Sequence, residues 1–412
     1  MKLIAFAILF SVSVFSGKAQ NSNPKTPQRI LLSLTATPTE SMAVTWRTNE
    51  KLDTPQAQFA IATDWTDFED SAESIEAKPE KIQTEKGVEV FHYSAEMKGL
   101  KPTAQYVYRV GGDSVWSEWN HFTTAAATAE PFTFTWFGDI QHDVKKFGSR
   151  ILREAYQNSR DAEFLLFTGD VVDRAEFDSQ WEEFFSAASF IPSLVPTVFT
   201  AGNHEYADTT VNGKETEVLV PLWQAHIKQP ETNIEGINET VFSFDYQGVR
   251  FIVLNGNEKL EEQAQWLDKI LAENQNKWTI ACVHQPLYSM SKGRDQQNTR
   301  NAFLPLFDKY AVDLVLQGHD HVYARTAKMN KGKIVGHKEK GTVYVTSNSG
   351  SDEYTPKSVN TKFAVKIGNK TQLFQVISIQ KNRIAVQAFT VTGALYDSFE
   401  IVKNKFFKHE KT

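Results

Sequence analysis

The sequence predicts two domains in series, a small β-sandwich followed by a larger α/β domain. Three observations lead there. The chain has 412 residues, more than one hydrophobic core ordinarily supports. Its first part carries short strand-like runs separated by turn residues, without a long helical period. From Pro131 onward, apolar strands alternate with amphipathic stretches.

Ahead of both domains, Lys2, an apolar run over 3–15 and the small residues Gly17 and Ala19 before Gln20 have the layout of a cleavable export signal over 1–19. That run is shorter than the roughly 20 apolar residues a spanning helix needs. The mature protein is therefore expected to be exported, periplasmic or secreted, without membrane insertion. The sandwich follows over 27–124, with strands read at 30–34, 43–47, 58–62, 88–97, 106–110 and 120–123. Trp46 within Val44-Thr45-Trp46 is assigned to its core. The Ala- and Thr-rich stretch 125–131 reads as a linker. The second domain, over 131–402, has strands at 132–137, 164–167, 197–200, 249–254, 278–283 and 312–316. Between 260 and 274, Trp266 with Ile270 and Leu267 with Leu271 place apolar residues four apart on one helix face. Strands return at 342–346, 373–379, 384–390 and 396–401, and the C-terminal part is expected to complete a second sheet.

Charge and cysteine usage narrow the function classes. With 44 basic against 50 acidic residues, the protein lacks the cationic excess of a nucleic-acid binder, and no nucleic-acid partner is expected. The Lys-rich tail 403–411 reads as a solvated end. Cys282 is the single cysteine, so no internal disulfide can form and stability must come from burial. Its place inside an apolar strand makes it an inert thiol rather than a nucleophile.

The chemistry-bearing residues fall at the carboxyl ends of the expected strands, where open α/β sheets place their ligands. Gly138-Asp139-Ile140-Gln141-His142 closes one strand and Gly169-Asp170-Val171-Val172-Asp173-Arg174 the next. Gly202-Asn203-His204-Glu205, Val283-His284-Gln285-Pro286 and Gly318-His319-Asp320-His321 close three more. Five of the ten histidines lie in these segments, a concentration that scattered core histidines would not produce. Asp, Asn and His are divalent-metal ligands, and a carboxylate can bridge two ions. Two such ions can hold a phosphate ester, lower the pKa of a water and offset charge on both the attacking and leaving oxygens. Turn and cap chemistry explains each segment alone; it does not explain five in order.

These segments, in this order, resemble the calcineurin-like metallophosphoesterase family. Phe242-Ser243-Phe244-Asp245-Tyr246, His284-Gln285-Pro286-Leu287-Tyr288-Ser289 and Asp313-Leu314-Val315-Leu316-Gln317-Gly318-His319 are similar to its purple acid phosphatase branch. In the leading segment, Leu100-Lys101-Pro102-Thr103 and Tyr106-Val107-Tyr108-Arg109-Val110 resemble the fibronectin type III-like N-terminal domain of those enzymes. The resemblance implies two sheets flanked by helices in the second domain and a phosphate-monoester hydrolase acting through a hydroxide held on two metals. It implies that Asp139, Asp170 and His321 hold one metal, Asp170, Asn203, His284 and His319 the other, and that Asp170 bridges. It implies further that His204 is the general acid, with Asp173 orienting its imidazole. Arg174, next in sequence, is a candidate phosphate contact.

Two positions depart from the family pattern. Where the wider family has His two residues after its first Asp, this chain has Gln141, a weaker donor taken as a ligand of the first metal; His142 beside it is a substitute, although adjacent residues on an extended chain point apart. Where the purple branch has the tyrosine that gives it colour stands Asp173, so the protein is expected to be colourless, with iron and zinc, or manganese, as its metals. Two rivals stand beside the monoesterase reading: a phosphodiesterase or nucleotidase on the same site, and a surface-binding protein whose metal site has degenerated at Gln141. The expected partner is a small phosphate ester; oligomeric state is not legible.

Overall fold

A computed structural model describes residues 23–403 apart from 212 and 238. The export-signal segment 1–19 and the tail beyond Lys403 lie outside the described residues. Lys403 itself is not a solvated end: its Nζ donates to Asp313 Oδ2 at 2.7 Å and to the Lys277 carbonyl at 2.6 Å. Among the described residues no helix is long and apolar enough to cross a membrane.

The chain folds as an N-terminal β domain followed by an α/β domain built on two mixed sheets. One sheet has ten strands. At its centre lie Phe132–Phe137, Leu165–Phe167 and Thr197–Phe199, all parallel. The other has seven, with Val249–Leu254, Trp278–Val283, Leu314–Gln317 and Val343–Thr346 running parallel through its middle.

Side-chain alternation explains the layering. Phe134, Trp136 and Phe164 meet Phe251, Val253, Ile280 and Leu316 between the two sheets. On the outer face of the first sheet, Phe137, Phe167 and Phe199 pack on Ile151, Leu152, Trp181 and Phe184 of the helices Ser149–Asn158 and Asp178–Ala188. On the outer face of the second, Ile252, Ala281 and Val315 pack on Leu267 and Leu271 of helix Leu260–Ala272 and on Phe303 and Phe307 of Gln297–Tyr310. Strands covered on both faces must be apolar at every position, which is why these runs do not alternate with polar residues.

One expectation is corrected. The C-terminal strands Leu373–Gln380, Arg383–Thr390 and Leu395–Val402 do not complete the second sheet. They extend the first, because Leu373–Gln380 pairs antiparallel with Phe132–Phe137. The leading sandwich is joined edge to edge with the α/β domain. Its strand Gln28–Leu34 lies parallel to Thr197–Phe199 through Ser33 and Thr197, so that Ser41–Thr48, Glu89–Lys98 and Lys78–Gln83 continue the ten-stranded sheet. Gln56–Ile61 and Gln105–Gly112 anchor the opposing small sheet. Trp46, 1% exposed and stacked on Tyr93 at 5.4 Å, is in the core as expected.

Candidate metal centre

Register brings the first three ligand-bearing loops together. Phe137, Phe167 and Phe199 are paired residue for residue across the three parallel strands, and their rings stack at 4.9 and 5.2 Å. The strands thus end level, and the loops carrying Asp139, Asp170 and Asn203 open at one point. The second sheet presents His284 after Val283 and His319 and His321 after Gln317 at the facing edge.

The turns that follow are sharp. Asp139, Asp170, His319 and His321 all take left-handed backbone angles, with φ between +43° and +70°, a conformation costly for side-chain-bearing residues and concentrated at functional sites. Close approach also requires glycine: a Cβ at Gly202 would lie 2.1 Å from Asp170 Oδ1 and 2.6 Å from its backbone N.

Glu205 holds these turns. Wholly buried, its carboxylate accepts the backbone N–H groups of Asp170, Val171 and Gly202 at 2.8, 2.9 and 2.6 Å. Asp320 does the same on the opposite sheet, accepting from Met290 N, Ser291 N and the Ser289 hydroxyl. Behind Asp139, Ser349 N donates to Gly138 O at 2.6 Å, and Gly138 N donates to the Ser349 hydroxyl at 3.2 Å.

Of the ten sequence candidates, the structure gathers the seven metal-ligand candidates together with His204. Asp170 Oδ2 is 3.0 Å from His284 Nε2, and Asn203 Oδ1 is 3.2 Å from that nitrogen and 2.8 Å from His319 Nδ1. Asp139 accepts the His319 N–H at 2.7 Å, with His321 Nε2 3.6 Å away. Asp170, His284 and His319 form one donor group and Asp139, Asp170 and His321 another, each with its ligand atoms within 4.8 Å of one another. Asp170 belongs to both. His284 Nδ1 faces the Thr168 carbonyl at 2.7 Å; a carbonyl only accepts, so Nδ1 carries the proton and Nε2 is left as the ligand nitrogen. Gln141 is buried beside Asp170 and His321. With its amide turned so that nitrogen meets acceptors, it donates to Asp170 O and Oδ2 at 3.0 and 3.1 Å and accepts from His204 Nε2 at 3.3 Å.

The three catalytic candidates fare differently. His204 lies at the centre, with Nε2 4.0 Å from Asp170 Oδ2. Its orienting partner is the main-chain carbonyl of Asp173, 2.6 Å from Nδ1. The Asp173 carboxylate stands farther off at 3.5 Å and lies closer, at 3.0 Å, to His142 Nδ1. His142 therefore spans Asp173 and Asp352 on the rim. Arg174 is not in the centre: its guanidinium is bound by Glu176 at 2.5 and 2.8 Å and lies over the Phe177 ring. An acidic neighbour two residues on captured it.

The charge balance of the centre suits a cation. Neither Asp139 nor Asp170 has a Lys or Arg within ion-pair distance among the described residues. Burial pushes the Asp139 carboxyl well above the usual carboxylate range. Burial, with Asp170 adding its charge, raises Glu205 to about 7. Against the cost of burial, Asp170 and Asp139 lift His284 to about 9. His319 and His321 are pushed down by burial to about 2 and 3, so they are neutral nitrogen donors. Three imidazoles and an amide oxygen around two buried carboxyl groups fit a pair of divalent cations in donor type and in number. A second His and Asp cluster, His92, Asp178 and His226, does not: Asp178 is taken by Arg29 and Arg47, each at 2.7 Å. Cys282 is buried, and burial pushes its thiol far up, as expected of an inert residue.

Residues 27–124 match the family model described as purple acid phosphatase, N-terminal domain, and 132–323 that described as calcineurin-like phosphoesterase. Purple acid phosphatase 1 of Ipomoea batatas is 26% identical over 64% of this chain and 59% of its own length. A protein of Arabidopsis thaliana named probable inactive purple acid phosphatase 24 is 24% identical over 76% of this chain and 58% of its own. The chain thus spans about three fifths of the length of these relatives. A purple acid phosphatase from yellow lupin (Lupinus luteus) seeds shares the fold, with a TM-score of 0.78 at 20% identity over 93% of this chain and 75% of that one.

Proposed function

Because the chain carries a calcineurin-like phosphoesterase domain behind a purple acid phosphatase N-terminal domain, we propose that it is an exported dimetal hydrolase of phosphate monoesters. The observation that carries this reading is Asp170, one carboxylate common to two donor groups, with the Nε2 of His204 4.0 Å from it.

Asp139, Asp170 and His321, with Gln141 beside them, would hold one metal, and Asp170, Asn203, His284 and His319 the other. Metals bound there would neutralise charge on the ester and lower the pKa of a water. The chain does the rest. Glu205 and Asp320 fix the loops, so the donors need little rearrangement. His204, with Nδ1 committed to the Asp173 carbonyl, presents Nε2 to protonate the leaving alkoxide. Iron with zinc, or manganese, suits the mixed oxygen and nitrogen donors, and Asp173 at the position of the coloured branch's tyrosine makes the protein colourless.

A second reading draws support from Gln141, whose better-bonded amide orientation spends its nitrogen on Asp170, and from the relative named probable inactive. In it the centre is metal-poor and the protein binds rather than hydrolyses. Metal analysis with hydrolysis of an aryl phosphomonoester and its matched diester, on wild type and Asp170→Asn, decides. The expected result is two metals per chain, no visible charge-transfer band, monoester turnover exceeding diester turnover, and loss of metal and turnover in the variant. Less than one metal per chain, with wild type and variant equally inactive, refutes the hydrolase. Faster diester turnover moves the substrate class.

A further inference from the structure

With Arg174 turned away, no Lys or Arg is ion-paired to the carboxylates of the centre among the described residues, and another arginine is fastened beside its histidines. Arg294 lies on the loop between strand Trp278–Val283 and helix Gln297–Tyr310. Its Nη1 donates to the His319 carbonyl at 2.6 Å, and its guanidinium lies 4.5 Å over the ring of Tyr354. Tyr354 in turn stacks on the His321 imidazole at 4.6 Å. The guanidinium is therefore fastened to both histidines of the Gly318-His319-Asp320-His321 segment, to one through its backbone and to the other through one aromatic ring.

Both strands of this mount are pinned. Lys292 N donates to Thr355 O at 3.0 Å, Ser291 bridges to Pro356, and Tyr354 N donates to His321 O at 3.2 Å. Unlike Arg174, Arg250, Arg300, Arg325 and Arg383, each paired with a carboxylate, Arg294 has no carboxylate within ion-pair distance among the described residues. The nearby Asp320 is spent on Ser289, Met290 and Ser291. Four of its five N–H donors have no hydrogen-bond partner among the described residues.

A fixed guanidinium with free donors and no counter-charge, one residue layer from a cation site that must receive an anion, is an anion receptor. We propose that Arg294 receives the non-bridging phosphate oxygens of the ester and of the released orthophosphate, a reading that rests on the phosphoesterase function above. A monoester dianion gains more from this contact than a diester monoanion, so Arg294 sets the preference between them.

The test measures orthophosphate binding by calorimetry, with metal content, on the metal-loaded chain as wild type, Arg294→Gln and Arg294→Lys. Losing charge-assisted bonds is expected to weaken orthophosphate binding roughly ten- to hundredfold in Arg294→Gln. Arg294→Lys, which keeps charge without the planar fork, should lie between. Bound metal should be unchanged, and KM for the aryl monoester should rise with kcat altered only severalfold. Orthophosphate affinity within twofold of wild type in Arg294→Gln overturns the inference, as does loss of metal, which would make Arg294 a strut for His319. If Arg294→Gln does not fold, Arg294→Lys decides by the same criterion. A wild type that binds orthophosphate and hydrolyses no ester refutes the proposed hydrolase and leaves the Arg294 comparison intact; one that binds none overturns both.

Discussion

Acid should loosen the junction between the two domains through two histidines remote from the metal centre. His92, on strand Glu89–Lys98, and His226, ending helix Pro221–His226, meet edge to face at 4.5 Å and are both buried. Arg29 Nη1 donates to His226 Nε2 at 3.1 Å, and His226 Nδ1 donates to Leu222 O at 2.7 Å, so this ring is neutral. Burial first, and Arg29 and Arg47 after it, hold His92 down at about 3 and His226 well below the ordinary imidazole value, against the smaller opposing pull of Asp178 on His92. A base whose folded-state pKa is depressed contributes stability that is complete above its unfolded pKa, near 6.5, and is lost as pH falls below it. Between about pH 7.5 and pH 5 the loss is RT ln(1 + 10^1.5), about 2 kcal/mol per histidine, whatever the depth of the folded value once it lies well under 5. The perturbation is His92→Phe, which keeps a ring and removes one titration. Urea unfolding at the two pH values can be followed by tryptophan fluorescence, since Trp181 stacks on His226 at 4.6 Å. Protonation of metal ligands affects both proteins alike and cancels in the difference. Wild type should lose about 2 kcal/mol more than the variant; equal losses would refute the neutral-histidine account.

Two further substitutions probe how the centre is built. Glu205→Gln weakens or breaks the three backbone bonds that its carboxylate accepts and sets an amide N–H₂ against donors. It should cost about 2–4 kcal/mol in denaturant unfolding and lower metal stoichiometry; unchanged metal content would show that the loops hold without it. Gly202→Ala forces a methyl into Asp170, whose Oδ1 and N stand 2.1 and 2.6 Å from the added carbon. A loss of at least about 2 kcal/mol is expected, together with a fall in metal affinity by titration; a variant that takes up metal like wild type would mean the loop yields more readily than its geometry implies.

Legibility in the sequence followed burial. Strands covered on both faces, such as Phe132–Phe137, Val249–Leu254 and Trp278–Val283, announce themselves as apolar runs and begin and end where the sequence places them. Glu73–Glu76, Lys78–Gln83 and the hairpin of Tyr206–Val211 with Lys214–Leu219 were not read. Most of their side chains are charged or polar, with only isolated apolar residues such as Ile75, Ile82 and Leu219 reaching the core, and backbone pairing leaves no composition signal. The destination of the C-terminal strands was misjudged for a related reason. Alternation in Leu373–Gln380 specifies a half-buried strand, and nothing in it names Phe132–Phe137 as the neighbour.

At the centre the same division separates ligands from their supports. Asp139, Asp170, Asn203, His284, His319 and His321 could be found because each follows an apolar strand and a turn, so position and residue type point the same way. Glu205 and Asp320 sit in the same segments but act on backbone N–H groups, a role that any buried carboxylate beside a turn can take and that spacing does not encode. Arg174 and Arg294 make the distinction sharper. Arg174 follows the second ligand motif directly and is drawn off by Glu176, whereas Arg294 has no motif at all and reaches the centre through Tyr354, sixty residues on. A guanidinium on a long flexible stem goes to the nearest uncompensated charge or π face. Its destination is therefore set by three-dimensional neighbours, and a cation found by adjacency in sequence is the weakest kind of functional inference the chain permits.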